Sequence, residues 1–238
     1  MSKYFELLQQ AVKNRGPSPL VTWVSDIGRI ELSTVTFANA VSKASNFLID
    51  GLELNEDSSI GIELGNHWQS PVWLGTGLAT GIKVTDETNA TRFGTLAAAQ
   101  DWAGDTEDFV VVSQHPFGMP DKDIPVEFVN GSAEVRNFGD YFSPVWPVAS
   151  DDVAVHFESS ELTWGQLVAR ALELADQYGI KSGQVYGLHG VADGSTLAAL
   201  QVVLPVMNQN SVVLIDQVNP DLDAITKHEK LEQIVQLG

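Results

Sequence analysis

One pattern constrains this chain more than any other: an order of strands and helices that occurs twice, at an offset of about 130 residues. Glu31, Leu32 and Ser33 open a helical pattern that runs to Ile49, and Glu161, Leu162 and Thr163 open another that runs to Tyr178. Each helix leads to a glycine, Gly51 or Gly179, and then to a short apolar strand at 59–64 or 184–188. Each half continues with a second helix, 68–80 or 196–207, and a closing strand, 82–84 or 212–215. Strands alternating with helices of this length read as parallel βαβ units, because parallel neighbours need a crossover and helices must cover both sheet faces. The expected fold class is therefore α/β, with two similar lobes of parallel-type βαβ units. A true duplication and two independent βαβ units both remain open at this point.

The cap signals agree with these boundaries. Ser33 or Thr34 precedes the first helix, Thr163 precedes its counterpart, and 193–196 offers N-cap side chains ahead of Leu197. Between the lobes, a helix is expected near 91–102 and an apolar strand at 109–113. The stretch 143–152 is the linker candidate, because its prolines break regular pairing and Asp151 and Asp152 favour solvent. The expected domains are a first lobe at 1–143 and a second at 144–238, which can also pack as one unit.

Composition narrows the function classes. At 238 residues and 44% hydrophobic, the chain can bury a substantial core. No apolar run is long enough for a membrane span, and the start reads as an amphipathic helix with no signal-peptide core, so a cytoplasmic protein is expected. The absence of cysteine excludes disulfides, thiolate metal sites and a cysteine nucleophile. With 31 Asp and Glu against 13 Lys and Arg, the formal net charge is −18. The basic residues are scattered singly, which argues against nucleic acid, and the same field disfavours ATP or coenzyme A unless a local basic loop offsets it.

Motifs for chemistry are mostly missing. No two of His67, His115, His156, His189 and His228 stand at i, i+4, so no metal is expected. The loop 187–196 follows a strand and opens a helix, the setting in which backbone N–H groups bind phosphate. It lacks both the lysine of a Walker loop and the glycine spacing of a dinucleotide loop, so it reads as a turn. A G-x-S-x-G nucleophile elbow is absent as well. In open parallel sheets ligands bind at the C-terminal strand ends. The candidate ligand-binding residues are accordingly Gly65, Asn66 and His67 in the first half and His189, Gly190 and Asp193 in the second, with no catalytic residue and no cofactor.

From Ile30 to Val84 the residues carry a resemblance. Leu32 and Ser33 at a helix entry, Gly51, the strand near Ile60, Asn66-His67-Trp68 and Gly81-Ile82 resemble the opening of the AMP-binding superfamily of acyl- and aryl-CoA synthetases, luciferases and peptide-synthetase adenylation domains. More narrowly, Glu31-Leu32-Ser33, His67-Trp68-Gln69, Glu134-Val135-Arg136 and Gly139-Asp140 resemble an uncharacterised family of short actinobacterial proteins related to it. The resemblance implies a fold like the N-terminal subdomains of adenylate-forming enzymes. It also aligns 155–165 with a phosphate loop of the type S-S/G-G-T-T-G-x-P-K-G. Here the loop's glycines and lysine are gone, and Glu158 and Glu161 stand in the segment, so phosphate meets repulsion. The adenine segment, ribose-binding Asp and catalytic Lys of the superfamily are expected to have no match before Gly238, and no catalytic residue carries over. The resemblance therefore implies a non-catalytic relative binding a small molecule or protein partner through an inherited cleft. Alternatives are a homo-oligomeric assembly protein, possible as a homodimer, and a residual enzyme completed by another chain.

Overall fold

The computed structural model describes residues 3–101, 109–158 and 160–238. Helix α1 (Lys3–Arg15) leads into a hairpin of β1 (Pro19–Ser25) and β2 (Gly28–Ser33), followed by α2 (Thr34–Asn46), which ends in a wide turn at Phe47–Gly51. Then come β3 (Ser59–Glu63), α3 (Gln69–Thr80), β4 (Lys83–Thr85), β5 (Thr91–Gly94), α4 (Leu96–Asp101), β6 (Phe109–Val111), β7 (Val129–Asn130) and the single turn α5 (Gly131–Glu134). The order then repeats. A hairpin of β8 (Val153–Phe157) and β9 (Ser160–Thr163) precedes α6 (Trp164–Gln177) and β10 (Val185–Gly190). A rod made of α7 (Gly194–Leu197), a π-segment (Ala198–Val203) and α8 (Leu204–Met207) leads to β11 (Ser211–Asp216), α9 (Leu222–Glu229) and β12 (Gln233–Leu237).

Both halves therefore use one skeleton, and the likeness extends to a hairpin ahead of each. Each hairpin carries a one-residue bulge at the same point: Pro19 pairs with Ser33 but Val21 with Leu32, and Val153 pairs with Thr163 but Val155 with Leu162. The extra residue re-aims the strand entering the helix that follows. Ser33 caps α2 by accepting from the Thr36 N–H, and Thr163 caps α6 in a full capping box with Gln166.

The two sheets do not follow the chain boundary at 143/144. One sheet has the order β12-β10-β11-β1-β2 and the other β7-β6-β5-β3-β4-β8-β9. Each half thus contributes its hairpin to the other half's sheet: β1 runs parallel to β11, with Trp23 opposite Leu214, and β8 runs parallel to β4. A two-stranded ribbon cannot bury a face alone, and the closing strand of the other half offers it an open parallel edge. The linker candidate 143–152 has no helix or strand but packs against the first half, where Trp146 and Val148 cover Gly81.

The main core lies between the sheets and is filled by α1, α2, α3, α6 and the π-segment, through Tyr4, Phe37, Trp73, Leu167 and Leu200 among others. Strand alternation sorts the remainder. Val212 and Leu214 face this core, while Val213 and Ile215 face outward onto Ile225 of α9. On the second sheet Val110 points inward, and Phe109 and Val111 pack outward with Ala99 of α4. The helix expected at 91–102 is corrected here: 91–94 is a strand between β3 and β6, and only Leu96–Asp101 is helical, with Trp102 outside the described residues. Pairing on both sides outweighs the helix signal of the short segment, since Arg92, Phe93 and Gly94 are buried in mid-sheet. No helix among the described residues is long and apolar enough to cross a membrane.

Candidate functional site

The six candidate residues stand at the C-terminal ends of β3 and β10, and the fold brings the two ends together. Gly65 takes a left-handed turn (φ 58°) directly after Leu64, and the Asn66 side-chain amide donates to the Gly190 carbonyl at 3.0 Å. His67 is only 1% exposed. Its ring meets Trp23 edge-on at 4.7 Å and lies 5.5 Å from the Trp68 ring, and its Nδ1 accepts from the Gln69 N–H at 3.4 Å. Burial lowers the His67 pKa to about 4, against partial opposition from a backbone hydrogen bond with Gln114. Near pH 7 the ring is neutral and enclosed, which suits packing.

The second strand end is built differently. The His189 Nδ1 lies 3.5 Å from the Ile215 carbonyl oxygen, and Gly190 (φ 103°) passes against the backbone of Leu237. Asp193 caps α7: its carboxylate accepts the N–H groups of Ser195 and Thr196, both at 3.0 Å, and both hydroxyls. Burial alone would raise its pKa, but these four hydrogen bonds outweigh that and hold it below the ordinary value. With its acceptors engaged, Asp193 works as a cap. The seam also uses residues that sequence reasoning passed over. Trp23 donates from Nε1 to Asp216 at 3.0 Å, and Gln69 donates to the Ser113 carbonyl at 2.6 Å. The indole among the short side chains of β1 was the available signal for the first.

The turn between β8 and β9 is where the resemblance places a phosphate loop, although Ser159 lies outside the described residues. Here the Glu158 N–H donates to the Asp86 carboxylate at 3.0 Å. His156 lies 3.5 Å from Glu87 and 3.9 Å from Glu161, and Glu87 also pairs with Lys83 at 3.1 Å, a hydrogen bond that holds the Glu87 carboxylate below its usual range. A backbone donor at this turn thus already serves an internal anion, within a ring of carboxylates. Like charges about 4 Å apart repel by on the order of 4 kcal/mol at an effective dielectric of 20, and the nearby Lys83 ammonium is already paired with Glu87. The equivalent turn of the first hairpin is clasped with the roles reversed, its Asp26 carboxylate accepting the Val218 N–H at 3.3 Å. Among the described residues, no group of three or more His, Asp or Glu side chains gathers to hold a metal ion.

No family model matches the chain. A Mycobacterium tuberculosis protein described as a "TIGR03089 family protein" is 32% identical over 136 residues, which cover 53% of this chain and 56% of that protein. The chain thus matches little more than half the length of its curated relative. Among solved structures, acetoacetyl-CoA synthetase from Streptomyces lividans superposes with a TM-score of 0.75 at 13% identity, over 98% of this chain and 42% of that one. Mycobacterium tuberculosis fatty acyl CoA synthetase superposes with a TM-score of 0.69 at 10% identity, over 97% of this chain and 48% of that one. At such identities the likeness concerns the backbone: the chain has the mixed α/β fold found in acyl-CoA synthetases, across less than half of their length.

Proposed function

We propose that the chain is a non-catalytic relative of the AMP-dependent synthetases, a pseudoenzyme that binds a small molecule near the joined strand ends without activating it. The observation that carries this reading is the Asp86 carboxylate on the Glu158 N–H, with Glu87 and Glu161 close by, at the turn where nucleotide phosphate would need amides and a lysine. At the strand ends His67 is enclosed and Asp193 is engaged in capping, so neither stands as a free acid or base for chemistry. Calorimetric titration with Mg-ATP, then with an acyl-adenylate analogue, tests it. The expected result is no saturable heat from either; saturation by Mg-ATP, or carboxylate-dependent release of pyrophosphate, would return the chain to the enzymes.

A second reading, a homodimer or another protein assembly, is favoured by one specific observation. Phe117, Met119, Val126, Tyr141 and Val145 are large apolar side chains exposed within a single stretch of sequence. Where such side chains form one contiguous patch, a partner commonly covers it. Sedimentation that gives one monomeric species across a wide concentration range removes the homodimer. A cytoplasmic location belongs to the same proposal and is tested by fractionating cells that express the chain.

A further inference from the structure

Between α1 and α2 runs a groove of about 330 Å³, closed on its third side by the loop 140–144. None of the six strand-end candidates lines it. Each helix gives one face to it. Phe5, Gln9, Val12 and Lys13 recur at i, i+4, i+7 and i+8 along α1, and Val35, Ala38, Asn39 and Ser42 at i, i+3, i+4 and i+7 along α2. The loop is fastened by hydrogen bonds and by one ring contact. Asn46 donates to the Gly139 and Tyr141 carbonyls, both at 2.9 Å, Lys43 donates to the Phe138 carbonyl at 2.9 Å, and Phe142 meets the Phe5 ring edge-on at 5.3 Å. The groove is therefore formed before any ligand arrives, which removes part of the ordering cost of binding.

The polar side chains of this groove have no partner within the chain. Gln9 and Asn39 are half-buried, Lys13 and Asp140 are exposed, and none of the four side chains makes a hydrogen bond or ion pair among the described residues. Ser42 adds an independent sign. It is only 3% exposed, yet its hydroxyl also has no protein partner and is not sealed from the groove. A nearly buried hydroxyl in this state calls for a partner from outside the chain. Charge narrows the choice. The chain carries −18, but this lining has one ammonium and one carboxylate, so a charged ligand gains from one and loses to the other. An apolar ligand would leave Gln9, Asn39 and Ser42 desolvated and unbonded.

A neutral molecule rich in hydroxyls meets both conditions, because a hydroxyl donates to Asp140, accepts from Lys13 and does either with the amides of Gln9 and Asn39. Tyr141 adds a flat seat. Its ring is 81% exposed at the edge of the groove, and the negative face of an aromatic ring attracts C–H groups. We propose that the groove binds a neutral sugar, a pyranose with its C–H face on Tyr141 and its hydroxyls on Asn39, Ser42 and Asp140. The volume, at the lower end of the roughly 300–1,000 Å³ of ligand pockets, suits a ligand of one or two rings. This site lies apart from the strand ends and goes beyond the reading above.

The test is a titration of the full chain, followed by calorimetry and saturation-transfer NMR, with glucose, galactose and mannose. Cyclohexanol, a neutral ring with one hydroxyl, and glycine, a zwitterion, serve as contrasts. Saturable binding of at least one sugar is expected, with cyclohexanol weaker by roughly tenfold or more, the loss that follows from missing hydrogen bonds. Asp140→Asn and Asn39→Ala should each weaken that sugar by roughly tenfold, and Tyr141→Ser by roughly five- to tenfold. Arg170→Gln, on α6 and outside the groove, should leave it unchanged. Asn39→Trp, which fills the groove, should abolish binding, and its thermal melt reports whether it still folds. Asp140 and Tyr141 are exposed, so their variants decide the matter if it does not. Silence from all three sugars, or cyclohexanol or glycine binding as tightly as they do, overturns the proposal. So does an affinity unchanged in both Asp140→Asn and Tyr141→Ser, or an equal loss in Arg170→Gln. Mg-ATP in the same cell tests the non-catalytic reading independently, since its binding would overturn that reading and leave the sugar result standing.

Discussion

The crossing from β3 to α3 and the crossing from β10 to α7 share one backbone path and are secured by different means. In both, a parallel strand ends, a glycine adopts positive φ, and the chain enters a helix, with Gly65 at 58° and Gly190 at 103°. At the first crossing the glycine faces open space, and the interior is sealed by His67 between Trp23 and Trp68. At the second, the glycine is pressed against a neighbouring strand, and the helix start is held by the Asp193 carboxylate. The pair teaches that a repeated fold preserves the route of the chain while each crossing finds its own side-chain solution.

The largest effect should come from adding one methyl group at each glycine. In Gly190→Ala the new Cβ would stand 2.0 Å from the Leu237 carbonyl oxygen, so β12 must move as well as the turn being strained. A cost of about 3–4 kcal/mol is expected, from overpacking plus left-handed strain. Gly65→Ala meets no atom within 4 Å and should cost only the strain, about 1–2 kcal/mol. Urea unfolding of the two variants measures the gap; equal losses would break the comparison.

The next effect is a dependence on pH that belongs to the first crossing. The His67 pKa is depressed in the folded state to about 4, below its ordinary 6.5, so at mildly acid pH the unfolded chain takes up a proton that the folded chain refuses. Stability from this residue is complete above the ordinary value and is lost as pH falls toward 4. Between pH 7 and pH 5 the loss should be about 2 kcal/mol, and His67→Phe should flatten the slope in that window. Asp193 shifts in the same direction from an ordinary value that is already lower than that of histidine, so its contribution should fade only at lower pH. A slope between pH 7 and pH 5 that persists unchanged in His67→Phe would assign the effect elsewhere.

Those two crossings also mark what could be read from the sequence. The helix-strand-helix-strand unit repeated in both halves was legible, because periodicity, Ser33, Thr163 and Asp193 all give local signals that the fold keeps. The exchange of hairpins between sheets was not, because it depends on β1 finding β11, whose Val212 lies some 190 residues from Val21, and no local pattern encodes a partner. The strand β5 was read as helix since its identity comes from neighbours on either side. Likewise Asn66 and Gly190 could be named as strand-end residues, whereas their hydrogen bond, the burial of His67 and the engagement of Asp193 follow from the way the ends pack.

Smaller effects separate the bond that joins the crossings from the cap that serves only one. Asp193→Ala removes the acceptor of two N–H groups at the start of α7 and should cost about 1–2 kcal/mol. Asn66→Ala removes the single hydrogen bond to Gly190 and should cost about 1 kcal/mol. Combining either substitution with Gly65→Ala sharpens the point, because Asn66 adjoins that turn and should be coupled to it, while Asp193 should add independently. Additivity in both pairs would show that the Asn66 bond does not depend on the turn.

The smallest effect lies at the helix starts, where the two halves differ by one bond. Ser33 and Thr163 each accept an N–H three residues on, at 3.2 Å from Thr36 and 3.3 Å from Gln166, so Ser33→Ala and Thr163→Ala should each cost about 1 kcal/mol. The second cap alone is reciprocal, because the Gln166 side chain accepts the Thr163 N–H at 2.9 Å, whereas Thr36 returns only a hydroxyl contact to Ser33 at 2.9 Å. Gln166→Ala should therefore cost about 0.5 kcal/mol, and Thr36→Ala should cost less, since alanine's higher helix propensity offsets the lost contact. Chemical denaturation of the four variants under one condition checks this order. If Thr36→Ala cost as much as Gln166→Ala, the hydroxyl contact would be equivalent to the missing half of the box, and the halves would be matched at their caps as well as along their backbones.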